Sequence, residues 1–332
     1  MFRFLPLILA PALLSAQSAP WPSEFKIRPV KVVTSTDEES GNQVVLTNHF
    51  RIESESEISR PDFERFATVV ESVPQLIEKF PLQLWAPPAK KQIGILICED
   101  EASYLEAGGQ EATIGWYDGR RRHILIRADF FLRPPPTRPT RLAPRPNQDI
   151  LVHELVHMSM HGILIHTPPW FYEGFAEYIS ACHKNNGRYT FHDVGTSIRD
   201  RIRKLIGTTE DGTISLLPVE KILALDHQAW VDTAHEEING NAYLPYGTAL
   251  LLVHYHLNGG QARRKMSAAH LKKIHGLRFS DKTLPFLTDK ATEIEARLVK
   301  FWGPRGLTLV FEEKGKEKES ENENEKAKAD GG

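Results

Sequence analysis

Apolar positions in this chain change period partway along. The N-terminal part runs in short strand-like blocks, and beyond residue 147 apolar residues recur at helical spacing. Lys26–Val33 and Gln43–Ile52 carry alternating or β-branched apolar residues around a polar turn, Thr34–Asn42, and read as paired strands. Ser59 and Pro61 then open a helix, because proline is tolerated at a helix start. Phe63, Phe66, Val69, Val70, Val73, Ile77 and Phe80 mark its apolar face, and Pro74 is expected to kink it or end it early. Gln92–Cys98 (QIGILIC) has the near-unbroken apolar character of a buried strand. Glu99–Ala107 predicts a short helix closed by Gly108-Gly109, and Ile114–Asp129 (IGWYDGRRRHILIRAD) a hairpin around Asp118-Gly119.

Arg133–Pro146 holds six prolines and four arginines in fourteen residues, which excludes helix and interior strand. It reads as a loop between two halves. Beyond it, helices are predicted at Asn147–Gly162, Pro169–Cys182, Asp193–Ile206, Pro218–Trp230, Tyr243–Leu257 and Asp289–Trp302. The expected fold class is therefore α+β. A mixed sheet with an edge-strand hairpin fills the N-terminal half, and helices fill the C-terminal half.

The two ends read as something other than fold. Arg3 precedes an apolar run, Leu5–Leu14, that is too short to span a bilayer, and Leu14-Ser15-Ala16 suits a signal peptidase. Residues 1–16 are expected to be an export signal, giving a periplasmic or secreted protein. No cysteine lies near the cleavage region, so no stable membrane anchor is expected afterwards. Glu313–Gly332 has seven acids, five lysines and no apolar residue larger than alanine, the composition of a solvated, disordered tail. The organisation expected is a signal peptide over 1–16, a hairpin-and-helix region over 17–90, a main domain over 91–312 and a tail over 313–332.

Composition removes several classes of function. With 41 Lys plus Arg against 43 Asp plus Glu, the net charge is -2, which offers no support for a nucleic-acid partner. Hydrophobic residues make up 41% of the 332, so neither collagen nor wholesale disorder fits. The two cysteines, Cys98 and Cys182, exclude a Cys-based zinc module and leave one disulfide or two buried thiols.

The chemistry concentrates in Gln148–Met160 (QDILVHELVHMSM), which holds His153-Glu154-Leu155-Val156-His157, the H-E-x-x-H pattern, inside a helical run. Residues four apart share a helix face, so both imidazoles can address one ion. Glu154 projects about 100° away and can reach a water without being a ligand. Neutral imidazole suits Zn²⁺, and a catalytic zinc takes a third protein ligand. His161 is eight residues from His153, about 12 Å along a helix, too far for one ion. A histidine six residues after His157 would fit the metzincin pattern, but Ile163 stands there, and His166 has no motif behind it. Glu173, on the next predicted helix, follows fifteen intervening residues, enough for a turn and an antiparallel return. Thr167 is expected to cap that helix ahead of Pro168-Pro169. Glu177 lies one turn further on the same face, where an acid can take the second ring N–H of a ligand histidine.

With these residues the chain resembles the gluzincins, zinc metallopeptidases in which H-E-x-x-H is followed by a glutamate ligand on a second helix. Trp170–Tyr178 (WFYEGFAEY) resembles the W-x-x-E-G-x-A-E segment of peptidase MA-like families, and the likeness covers about Gly94–Leu257. It implies a zincin-like fold, zinc on His153, His157 and Glu173, and Glu154 as general base. The implied activity is peptide-bond hydrolysis, with a peptide or protein as substrate. A donor for the developing oxyanion is also needed, and Tyr243, Tyr246, His235 and His254 are candidates. Tyr246–Tyr255 resembles the later helix on which related families carry a tyrosine facing the metal, which favours Tyr246. Two further readings use the same residues: zinc amide hydrolysis of a non-protein wall polymer, and an inactive binding protein that kept the fold. The Ile114–Ile126 hairpin is expected to line the cleft as a sheet edge, and Arg120–Arg122 make that side basic.

Overall fold

A computed structural model describes residues 21–89, 91–111, 113–131, 148–235, 242–277 and 289–311. The expected export signal, the Arg133–Pro146 segment and the charged tail lie outside these residues.

The N-terminal half is built on one mixed sheet, and the fold is α+β. After β1 (Glu24–Lys26) come β2 (Thr34–Thr36), β3 (Gln43–Leu46), β4 (Phe50–Ser54), β5 (Ile93–Cys98), β6 (Gly115–Asp118) and β7 (His123–Arg127). The last six form a sheet in the order β2-β3-β4-β5-β7-β6. The β4–β5 and β5–β7 pairs are parallel and the other pairs antiparallel, so β6 is an edge strand. The sheet therefore runs across the boundary expected between residues 90 and 91.

Parallel neighbours need a crossover, and α1 (Arg60–Lys79) supplies it between β4 and β5. Ser59 caps α1 by accepting from Asp62 N–H at 3.4 Å, and the helix continues through Pro74 as one element. Its buried face meets the inward side chains of the sheet, Phe50, Ile52, Ile95, Ile97, Ile124 and Ile126, in one core. The other sheet face carries a small satellite cluster, Cys98, Tyr104 and Leu125, under α2 (Glu101–Glu106).

Two strand expectations need correction. Lys26–Val33 is mostly not strand: Pro29 interrupts it, and Val30 N–H donates to Thr68 Oγ1 at 2.9 Å instead of to a ladder. The ladder partner of β3 is β2, inside the segment read as turn. Gln43–Ile52 is two strands, because the chain reverses at Thr47-Asn48-His49, where Thr47 N–H meets Phe50 C=O at 2.9 Å.

The helical half follows α3 (Ala128–Phe131). It comprises α4 (Gln148–Ser159), α5 (His161–Leu164), α6 (Pro169–Cys182), α7 (Val194–Ile206), α8 (Val219–Ala224), α9 (His227–His235), α10 (Leu244–Asn258), α11 (Gln261–Ile274) and α12 (Ala291–Trp302). The run read as one helix over Pro218–Trp230 is α8 and part of α9, divided where Asp226 takes the Ala229 N–H at 2.9 Å. Short strands β8 (Arg188–Thr190), β9 (Thr213–Leu216) and β10 (Thr308–Phe311) and the polar helix α11 carry too little apolar periodicity to be read beforehand. β1 pairs with β8, and β9 with β10.

Two packing features position the site. α4 is buried almost all round from Leu151 to Ser159, held between α1, α6 and the edge strand β6. α6 packs along α10, and Gly174 makes the approach possible: a Cβ there would sit 2.6 Å from the Ala249 carbonyl carbon. Cys98 and Cys182 are both buried free thiols, and burial pushes the Cys98 thiol up to about 12. Among the described residues no helix is long and apolar enough to cross a membrane.

Candidate metal centre

α4 presents His153, Glu154 and His157, each buried, and α6 returns antiparallel to bring Glu173 and Glu177 against them. Pro169 occupies the first turn of α6 and Pro168 its cap position; Thr167 does not cap the helix but donates its hydroxyl to Ile163 C=O at 2.7 Å.

Three ligand-type atoms converge. His157 Nε2 lies 2.9 Å from His153 Nε2, and Glu173 Oε2 lies 3.0 Å from His153 Nε2 and 3.2 Å from His157 Nε2. Tetrahedral ligands about 2.0–2.1 Å from a zinc ion stand about 3.3 Å apart, within a few tenths of an ångström of this spacing. Among the described residues, His153, His157 and Glu173 form a group of metal-ligand side chains whose donor atoms all fall within 4.8 Å of one another. Two imidazoles and a carboxylate suit Zn²⁺ and other divalent first-row metals alike.

The electrostatics favour positive charge at the cluster. Burial works against charge on His153, yet its bonds to Glu173 and Glu177 outweigh burial and push its pKa up to about 10. Burial would raise Glu173, but His157 and then the bonds to both imidazoles hold its carboxyl well below the usual carboxylate range. Lone pairs of two ring nitrogens and an anionic oxygen packed this closely repel unless a proton or a metal cation lies among them. The residues fit a divalent metal.

Behind the cluster, His153 Nδ1–H donates to Glu177 Oε1 at 3.0 Å, which fixes the ring with Nε2 turned towards the cluster. Glu177 Oε2 in turn accepts from Arg201 Nε at 2.6 Å, and Arg201 Nη1 donates to Asp149 Oδ2 at 2.9 Å. His157 lacks such support among the described residues: its Nδ1 is buried without a hydrogen-bond partner. Its ring is instead held edge-on against His153 and Tyr172, with centroids at 4.6 Å and 5.6 Å.

Glu154 points to the sheet. Its Oε2 accepts the Tyr117 N–H of edge strand β6 at 2.9 Å. Burial raises its pKa, with Glu173 adding and His153 and His157 opposing. Tyr246, near the start of α10, has its ring 6.2 Å from that of His153 and edge-on to Trp230 at 5.5 Å. Burial, and then the charge of Glu173, raise its phenol well above the ordinary value, so it remains a donor. Tyr243 is half exposed, 6.1 Å ring to ring from Tyr246.

The other candidates fall elsewhere. His161 bonds Tyr117 through Nδ1 at 2.8 Å, and His166 is buried between α5 and α6. His254 packs on Phe301 and Trp302, and His235 ends α9 with its side chain outside the described residues. Sequence reasoning missed Arg201, whose signal was available. It shares the buried face of α7 with Ile198 and Ile202, and a charged residue on an apolar face needs a buried partner. Nothing in the pattern signalled the Tyr117–Glu154 contact, which is made by backbone. No model of a known protein family matches the chain, and no curated protein matches it either.

Proposed function

We propose that this protein is an exported zinc metallopeptidase of the gluzincin type, with a zincin-like fold and an endopeptidase action on peptide or protein substrates. The observation that carries the reading is the convergence of His153 Nε2, His157 Nε2 and Glu173 Oε2 beside the carboxylate of Glu154. A zinc ion held by those three atoms would supply Lewis acidity, making water a better nucleophile and polarising the scissile carbonyl. Glu154, its pKa raised by burial, takes the proton of the attacking water and returns it to the leaving amine. Tyr246 keeps its phenolic proton and offers it to the oxygen that gains charge. Glu177 holds the His153 ring in one tautomer, with Arg201 behind it. The edge strand β6 offers main-chain groups to an extended substrate beside Glu154.

The experiment is a paired measurement on Glu154→Gln. The expected result is about one zinc per chain, as in the parent protein, with cleavage of a denatured protein or peptide library lowered at least about a hundredfold. Undiminished cleavage in that variant sinks the mechanism, and a parent protein that binds no zinc sinks the metal assignment.

A further inference from the structure

The β6–β7 hairpin ends in three consecutive arginines, and they do not serve one purpose. Arg121 faces the outer side of the sheet, donating to the Ala107 carbonyl at 2.9 Å and lying 3.7 Å from Asp118. Arg120 and Arg122 are exposed and make no ion pair among the described residues. Arg122 also has φ +58°, in the left-handed region where Gly or Asn is the ordinary choice. A non-glycine residue there costs stability, and strained backbone of this kind concentrates at binding and active sites.

The tip of this hairpin leans on the site. The Tyr117 backbone N–H binds the Glu154 carboxylate, and the Tyr117 hydroxyl bonds His161 Nδ1 at 2.8 Å. His161 opens α5, directly after the helix that carries His153 and His157. A Cβ placed on Gly119 would lie 3.9 Å from both His161 Nδ1 and the Tyr117 ring, so the turn packs against this pair. Burial, then the charge of Arg122, keep His161 neutral, and burial keeps the Tyr117 phenol protonated. A neutral His161 that accepts the phenol proton at Nδ1 carries its own on Nε2, as a further donor.

We propose that Arg122, with His161 beside it, forms a subsite for an acidic side chain of the substrate. The inference rests on the peptidase reading above.

The test compares peptides carrying Asp or Glu at each position flanking the scissile bond in turn with their Asn and Gln counterparts. Zinc-loaded parent protein and Arg122→Gly are assayed for kcat/KM, and the same peptides are titrated onto Glu154→Gln, with and without Arg122→Gly, by fluorescence anisotropy. The parent is expected to favour acidic peptides about two- to fivefold. Arg122→Gly should bring the ratio near one by lowering kcat/KM for the Asp and Glu peptides, and unfold at the same or a higher temperature because glycine accepts the turn. Equal cleavage of both peptide sets by the parent, or a preference that survives in Arg122→Gly, overturns the subsite and leaves the peptidase reading standing. Acid-selective binding that depends on Arg122, with no cleavage of any peptide, keeps the subsite and overturns the peptidase reading.

Discussion

Arg201 and Glu177 meet at 2.6 Å in the interior, both almost fully buried, and the second oxygen of Glu177 holds His153. The guanidinium, not solvent, therefore fixes the carboxylate that aims one metal-ligand histidine. Asp149, at the start of the helix carrying that histidine, binds Arg201 from the other side, and Lys204 reaches Asp149 at 2.6 Å.

Removing either member of this pair is expected to weaken zinc binding. Glu177→Ala should lower zinc affinity about 10- to 100-fold, the usual loss for a missing partner behind a ligand histidine. Arg201→Met should do the same and also destabilise the fold by about 3–5 kcal/mol, because it strands a buried carboxylate. Competition with a chelator of known affinity, alongside urea unfolding, checks both. Unchanged affinity in both variants would mean that packing alone orients His153.

Zinc should stabilise the folded protein. At a free concentration a hundred times its Kd, a ligand bound only by the native state adds about 2.7 kcal/mol. Thermal unfolding with and without zinc is expected to show that gain in the parent and in Glu154→Gln. Glu173→Ala, which removes the third ligand atom, should lose most of it. A full shift in Glu173→Ala would remove that residue from the ligand set.

Gly174→Ala tests the α6–α10 contact that carries Glu173. Alanine is the better helix former by about 1 kcal/mol, but its Cβ would overlap the Ala249 carbonyl, and overpacking of this kind costs about 1–3 kcal/mol. The expected outcome is net destabilisation, together with weaker zinc binding as the helix is pushed away. A variant more stable than the parent would show that the two helices have room to separate.

Stability should fall in mild acid. Burial lowers His183 and His254 to about 4, and His183 Nε2 accepts the Gly187 N–H at 3.2 Å, which needs the neutral ring. In the unfolded chain these histidines titrate near 6.5. Their folded pKa values are depressed, so their contribution is complete above pH 6.5. It is lost as the unfolded chain takes up protons between pH 6.5 and 4, by roughly 3 kcal/mol each. Urea midpoints measured across that window should decline, and His254→Leu should flatten part of the slope. An unaltered slope in that variant would show that His254 is not among the groups responsible.

The sequence by itself determined the elements whose signals are local. Ser59, Pro61 and the spacing from Phe63 to Ile77 are enough to place α1, and Pro169 with the apolar run to Cys182 marks α6 at its observed ends. His153, Glu154 and His157 were legible for the same reason: a four-residue separation on a helix is a local geometric fact. Glu173 and Glu177 were legible as one face of one helix, though their meeting with His153 depended on a return that the sequence only permits.

Tertiary structure alone decided what depends on distant segments meeting. It set β2 rather than Lys26–Val33 against β3, because Pro29 cannot supply a ladder donor and Thr68 takes the Val30 N–H instead. It brought Arg201 from α7 to Glu177 on α6 and Asp149 on α4, where bonds from one guanidinium to two carboxylates offset the cost of burying it. It placed the Tyr117 N–H on Glu154, a bond between a backbone group and a side chain 37 residues apart that leaves no mark in residue type. Periodicity reports which face of an element is buried; which element it is buried against is a matter of shape and charge summed over the whole chain.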